Sequence, residues 1–208
     1  MKKGLLIAIE GVDGCGKTSL ANNLYKYFKS LNKDILLTKE PGATPLGKYI
    51  KEYIVTNELD NYCEFLLFAA DRAEHIKKII KPALSNNQII ISDRFVDSSI
   101  VYQGFAGDVD LNFIEFINNF ILGDIKQDLT IYINVDYYTA KDRILKREKN
   151  KNKFDKFDNA QFDFFQTIID GFNNIFKNRD NILTIDGTLN EKEILDIAKS
   201  YLEEKFNI

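Results

Sequence analysis

The chain reads as a three-layer α/β fold, a five-stranded parallel sheet flanked by helices. Five short apolar runs alternate with amphipathic stretches, and each run is too continuous to leave one face in water. Polar residues follow four of those runs directly, at the strand ends where parallel sheets place their sites. A glycine-rich loop joins the first run to the first amphipathic stretch.

The elements follow in order. Residues 5–9 form the first strand and 19–31 the helix after it. Residues 35–38 are a second strand, closed by Glu40-Pro41-Gly42, where the proline biases Glu40 away from helix. Helical periodicity covers 46–55 and then about 61–84, with Phe65, Phe68, Ala69, Ile76 and Ile80 on one side. Residues 88–92 are a third buried strand, followed by helices near 98–103 and 111–122. A fourth strand spans 129–133 and a helix 139–147, whereas 148–156 is almost wholly charged or amide, without apolar period. A helix over 160–176, a strand over 182–185 and a helix over 191–205 complete the chain. Nothing repeats or divides it, so residues 1–208 are expected to form one domain.

The loop carries the clearest chemistry. Gly11-Val12-Asp13-Gly14-Cys15-Gly16-Lys17-Thr18 is a complete P-loop between a strand and a helix, the context that makes it a nucleotide site. Gly11, Gly14 and Gly16 let backbone N–H groups approach phosphate oxygens, and the helix N-terminus favours the anion. Lys17 is expected to reach the β- and γ-phosphates, and the Thr18 hydroxyl to sit on Mg²⁺ carried with ATP. Cys15 reads either as a small residue tolerated in the loop or as a thiolate favoured by the helix N-terminus and Lys17.

Composition fits this picture. With 45% hydrophobic and 28% charged residues, the chain matches a folded globular protein. A net charge of −3 argues against a general nucleic-acid binder. No run is long enough to span a bilayer and no cleavable signal is present, so no membrane partner is expected. Two cysteines form no disulfide framework, which points to a reduced, cytoplasmic setting. No cysteine–histidine set suggests zinc.

Two further clusters face the same strand ends. Asp93-Arg94-Phe95 follows the third strand, where an arginine can fork onto a phosphate. Phe68 and Arg72 lie four apart on one helical face, an arrangement that suits a base stacked on an aromatic. It equally describes a core phenylalanine beside a surface pair between Asp71 and Arg72. His75, the only histidine, lies on the long helix, outside the motifs that carry the chemistry, and reads as structural or surface.

The stretch Ile91-Ser92-Asp93-Arg94-Phe95-Val96-Asp97-Ser98-Ser99-Ile100-Val101-Tyr102-Gln103-Gly104 resembles the signature of the thymidylate kinase family. Thr38-Lys39-Glu40-Pro41-Gly42-Ala43-Thr44-Pro45-Leu46-Gly47 is similar to that family's second motif. Leu67-Phe68-Ala69-Ala70-Asp71-Arg72 resembles its base-binding segment, and Glu10-Gly11-Val12-Asp13-Gly14 its form of the P-loop. The resemblance implies a P-loop NTPase fold with a mobile lid, and transfer of the ATP γ-phosphate to dTMP in dTTP biosynthesis. By position, it implies that Asp13 binds the nucleotide 3′-hydroxyl or helps hold Mg²⁺. Phe68 would stack on thymine, Arg72 would contact its carbonyl edge or the phosphate, and Arg94 would clamp the dTMP phosphate. Ser99, Tyr102 and Gln103 would line the base and sugar pocket, with Tyr102 excluding a 2′-hydroxyl, and Lys39 and Glu40 would lie near the acceptor phosphate. The purine would lie near Asp186-Gly187-Thr188, and a homodimer would form through the long helices.

The chain departs from the family in its cations. The family supplies a transition-state arginine from the P-loop, at the position of Gly14, or from a lid. The candidate lid, about residues 147–158, carries lysines where lid-type relatives have arginines. Lys149 or Lys151 is expected to replace that arginine, with Arg143 or Arg147 contributing from the preceding helix. Lys39 and Ala43 likewise stand where the family shows arginine and glycine. The alternatives are a deoxynucleoside kinase, which would need a base for a neutral hydroxyl, and a nucleotide-dependent switch. For the switch, Asn32-Lys33-Asp34 is a guanine-reading motif with the wrong spacing.

Overall fold

The computed structural model describes residues 4–148 and 162–208. Five strands pair in parallel in the order β2-β3-β1-β4-β5. They are β1 (Leu5–Glu10), β2 (Ile35–Lys39), β3 (Ile89–Asp93), β4 (Leu129–Asn134) and β5 (Ile182–Asp186). β1 is central, with β3 on one side and β4 on the other, so the loop leaving its carboxyl end opens at the topological switch point.

Alternation along β1 builds two cores. Ile7 and Ile9 face a layer made by α1 (Lys17–Ser30), α8 (Phe162–Phe176) and α9 (Glu191–Phe206), where Leu24, Phe28, Phe172 and Leu202 are fully buried. Leu6 and Ala8 face the other way, against Ile76, Ile80 and Phe95. A fully buried leucine, isoleucine or phenylalanine contributes about 1.5–3 kcal/mol. Truncating Phe28 to alanine removes that burial and leaves a cavity, at a cost of about 3–5 kcal/mol.

Capping sets the helix ends. The Thr44 hydroxyl accepts from the Gly47 N–H at 3.0 Å, and Pro45 opens α2 (Pro45–Thr56). Asn190 and Glu193 form a reciprocal capping box on α9. Asp136 accepts from the Thr139 N–H at 2.8 Å, and α7 (Tyr137–Glu148) therefore starts two residues before the apolar period suggests.

The long predicted helix is α3 (Asn61–His75), a π-helical turn over Ile76–Ile80, and α4 (Lys81–Ser85). Pro82 has no N–H for the carbonyl four residues earlier, and the ladder widens just ahead of it. A second wide turn, Ile100–Phe105, extends α5 (Val96–Ser99) and carries Tyr102 and Gln103. α6 (Leu111–Leu122) packs on α3. The expected lid residues from 149 onward, Lys149 and Lys151 among them, lie outside the described residues.

Candidate active site

A cleft of about 980 Å³ opens at the carboxyl ends of β1, β2 and β3. Asp13 to Thr18, Lys39, Glu40, Phe68, Arg72, Arg94, Ser99, Tyr102, Gln103 and Arg147 all line it. Gly11 and Val12 lie behind that wall. The strand end 134–136 does not reach the cleft: Asn134 and Asp136 line a separate cavity of about 320 Å³ with Asp186 and Thr188. Two of the residues expected near the purine, Asp186 and Thr188, therefore line that separate cavity rather than the cleft. Asp186 folds back onto the Thr188 N–H at 2.9 Å, and Leu189, Asn190 and Glu191 face the cleft instead.

The loop glycines divide the work. Only Gly16, with φ 108°, has open space where a Cβ would point. At Gly14 a Cβ would meet the Ala140 carbonyl oxygen at 2.5 Å and Ile144 Cγ1 at 3.0 Å. That glycine therefore lets α7 close onto the loop, and an arginine at its position would push the helix away. Arg143 from α7 donates to the Cys15 carbonyl at 3.2 Å, so this helix brings cationic groups to the loop from the side. The Lys17 ammonium donates to the Gly11 and Val12 carbonyls at 2.9 and 2.8 Å. Cys15 is fully buried, and burial pushes its thiol up against the pull of Lys17, which favours the reading as a small residue tolerated in the loop.

Asp13 sits among cations. Arg94 donates to its carboxylate, and Lys17 lies 3.7 Å away. Burial raises its pKa, but Arg94, Lys17 and Arg147 together outweigh burial and hold it below the usual carboxylate value. The Thr18 hydroxyl meets a different carboxylate, donating to Asp93 Oδ2 at 2.6 Å. Sequence reading did not join Asp93 to Thr18. Its signal was a carboxylate at the end of the strand beside β1, 75 residues from Thr18 in the chain.

Arg94 has a left-handed backbone, φ 70°, fixed by its N–H to the Ile9 carbonyl at 3.0 Å and its own carbonyl to the Ser92 hydroxyl at 2.6 Å. Its guanidinium lies 4.8 Å from the Tyr102 ring centre and donates to the Ser98 hydroxyl at 3.2 Å and the Tyr102 oxygen at 3.3 Å. Burial pushes the Tyr102 phenol up, so it stays protonated and able to donate. Behind it, Glu10 accepts from the Phe95 N–H at 2.7 Å and the Ser98 hydroxyl at 2.6 Å, which anchors α5. Burial and the neighbouring Asp97 push Glu10 up to about 7.

Arg72 does not pair with Asp71. Adjacent helix residues point in different directions. Arg72 donates to Glu40 Oε2 at 2.8 Å, Asn118 Oδ1 at 2.6 Å and the Ser99 hydroxyl at 3.0 Å. Asp71 turns to the Gly42 N–H at 3.2 Å, and its other oxygen, without a partner among the described residues, lies against Gly47. Burial and Glu40 push Asp71 up to about 6. Phe68 is half-buried with its ring on the cleft, whereas Phe65 on the same helix is fully buried in the core. Gln103 is buried and donates to Glu64 Oε1 at 3.2 Å. His75 is fully buried and does lie beside a carboxylate, Glu40, because α3 runs along the end of β2.

The family model described as thymidylate kinase matches residues 9–197. The chain belongs to the thymidylate kinase family. A thymidylate kinase of Malacoplasma penetrans is 37% identical over 98% of this chain and 98% of its own length. One from Trichodesmium erythraeum is 32% identical over 97% of this chain and 96% of its own. The crystal structure of thymidylate kinase from Ehrlichia chaffeensis superposes with a TM-score of 0.77 at 30% identity, covering 96% of this chain and 99% of that one.

Proposed function

We propose that ATP binds on the loop 11–18 and dTMP against Arg72 and Arg94, and that the ATP γ-phosphate passes to the dTMP phosphate to give dTDP. Family membership makes the chain an ATP:dTMP phosphotransferase and disfavours the nucleoside-kinase and switch readings. The observation that carries the residue assignment is Arg94, which touches Asp13 of the donor loop and Tyr102 of the acceptor wall at once.

In this reading the loop N–H groups and Lys17 hold the β- and γ-phosphates, and Arg94 holds the acceptor phosphate in line. That phosphate is already anionic near neutral pH, so no general base is needed. Phe68 stacks on thymine, Arg72 meets its polar edge, and Ser99, Tyr102 and Gln103 close the sugar side, with Tyr102 where a 2′-hydroxyl would collide. Lys39 and Glu40 flank the acceptor phosphate.

The Thr18 hydroxyl and Asp93 carboxylate offer the hard oxygen donors that Mg²⁺ takes alongside water and phosphate. Asp13, engaged by two cations, is the poorer partner. Bound Mg²⁺ neutralises charge on the transferring phosphates. Lys149 or Lys151 supplies the remaining charge from the candidate lid, with Arg143 or Arg147 contributing from α7. Alanine at both lysines should lower kcat by about tenfold or more and weaken ATP binding less.

A second copy of the chain covers the outer face of α3 and α6. Leu66, Phe116 and Phe120 stand 47%, 66% and 79% exposed on those helices, apolar surface that a second copy would cover. Light scattering should report a dimer, and Phe120→Glu a monomer. Two free cysteines support a reducing, cytoplasmic setting. Among the described residues no helix is long and apolar enough to cross a membrane.

The test is ADP release from Mg-ATP with dTMP, dUMP, ribothymidine monophosphate, thymidine and no acceptor. Release with dTMP and matching dTDP is expected. Equal release without acceptor, or a preference for thymidine, would overturn the reading.

A further inference from the structure

His75 belongs to no phosphate-binding motif, yet it ends a buried relay into the acceptor wall. Its Nε2 lies 2.6 Å from the Thr38 hydroxyl and its Nδ1 2.9 Å from Glu40 Oε1. An ionised carboxylate only accepts, so Nδ1 carries the hydrogen and donates to Glu40. The second oxygen of Glu40 receives Arg72 Nε at 2.8 Å. Thr38, His75, Glu40 and Arg72 are all at most 8% exposed.

The division of those two oxygens has a consequence for Arg72. A carboxylate left alone with a guanidinium prefers the two-bond fork, and the last torsion of glutamate turns easily. A fork to Glu40 would rotate the guanidinium away from Asn118 and Ser99, which it now reaches at 2.6 and 3.0 Å. His75 occupies one oxygen and thereby limits Glu40 to a single bond with Arg72.

We propose that His75 is a positioning residue for the nucleobase of the acceptor: by holding Glu40 Oε1 it keeps Arg72 in a one-bond pairing and on Asn118 and Ser99 at the cleft wall. This rests on the reading of Arg72 as a contact to dTMP. The side chains of Thr38, His75 and Glu40 form one line from the end of β2 to the cleft.

Three substitutions separate positioning from space-filling. His75→Phe keeps a ring but removes both contacts. His75→Asn places an amide N–H where Nδ1 stood, and His75→Gln reaches the Nε2 position instead. The KM for dTMP should rise about tenfold in His75→Phe, with the KM for ATP unchanged and kcat altered less. His75→Asn should restore most of that loss and His75→Gln should not. A dTMP KM within about twofold of wild type in His75→Phe would overturn the proposal, as would equal rescue by Gln. If His75→Phe does not fold, Thr38→Val supplies the same test from the far end of the relay, with a rise of about threefold expected. No rise there would overturn it. Arg72→Lys tells the two layers apart. If it leaves the dTMP KM unchanged, the reading of Arg72 falls and the proposal with it. If it raises that KM while His75→Phe does not, only the proposal falls.

Discussion

Arg72 and Arg94 both face the cleft, but the regions around them are built differently. Arg72 is 2% exposed and tied to Glu40 after β2, Ser99 of α5 and Asn118 of α6, so its position is set by the fold. Arg94 is 18% exposed, springs from a left-handed turn, and pairs with the partly open Asp13. In the proposed reading the acceptor wall is therefore assembled before any ligand arrives. The junction with the donor loop is held by an ion pair that a phosphate can replace. A guanidinium that reads a base benefits from fixed geometry, whereas one that receives a phosphate benefits from a counter-ion that can yield.

The largest effect should come from the junction. Arg94→Ala is expected to lower kcat/KM by about 10³-fold, the range seen when a preorganised charge is removed from a transition state. Its cost in stability should be small, because the pair with Asp13 is partly screened by water. Arg72→Ala should show the reverse weighting. Stranding the buried Glu40 carboxylate costs about 3–5 kcal/mol, readable as a lower urea midpoint. Equal stability losses in the two variants would erase the contrast.

Acidity sharpens the comparison further. Glu10, behind Arg94, is raised to about 7, and Asp71, beside Glu40, to about 6. A carboxyl with a raised pKa binds its proton more tightly when folded. The stability it contributes is complete below its ordinary pKa and is lost as pH rises through the folded value. The melting temperature should therefore fall between about pH 5 and 8, since a tenfold tighter hold on one proton is worth about 1.4 kcal/mol. Asp13 works in the opposite sense: its pKa is lowered, so its contribution is lost below about pH 4. A flat or rising profile across the same range would contradict the buried carboxyls. The smallest effect concerns thiols. Exposed Cys63 should alkylate first and buried Cys15 slowly, and Cys63→Ser should remove the fast phase.

What the sequence disclosed follows from range. The inner strands β1, β3 and β4 were legible because both faces of each are buried, and the donor loop because its residues are consecutive. Helix ends missed by one or two residues where a cap such as Asp136 decided them. The acceptor relay was not legible, since its contacts join residues 32 to 46 positions apart. Asn118 went unnoticed although one signal existed: it lies four residues after buried Ile114, a polar residue on the inward face of α6. The Asp71–Arg72 pair was plausible only while their side-chain directions were ignored.

Calorimetric titration of dTMP into the protein without ATP or Mg²⁺ tests the preassembled acceptor wall most directly. The account predicts saturable binding at one site per chain, with an affinity changed little by a non-hydrolysable ATP analogue. Binding of dTMP only after the donor is in place would contradict it.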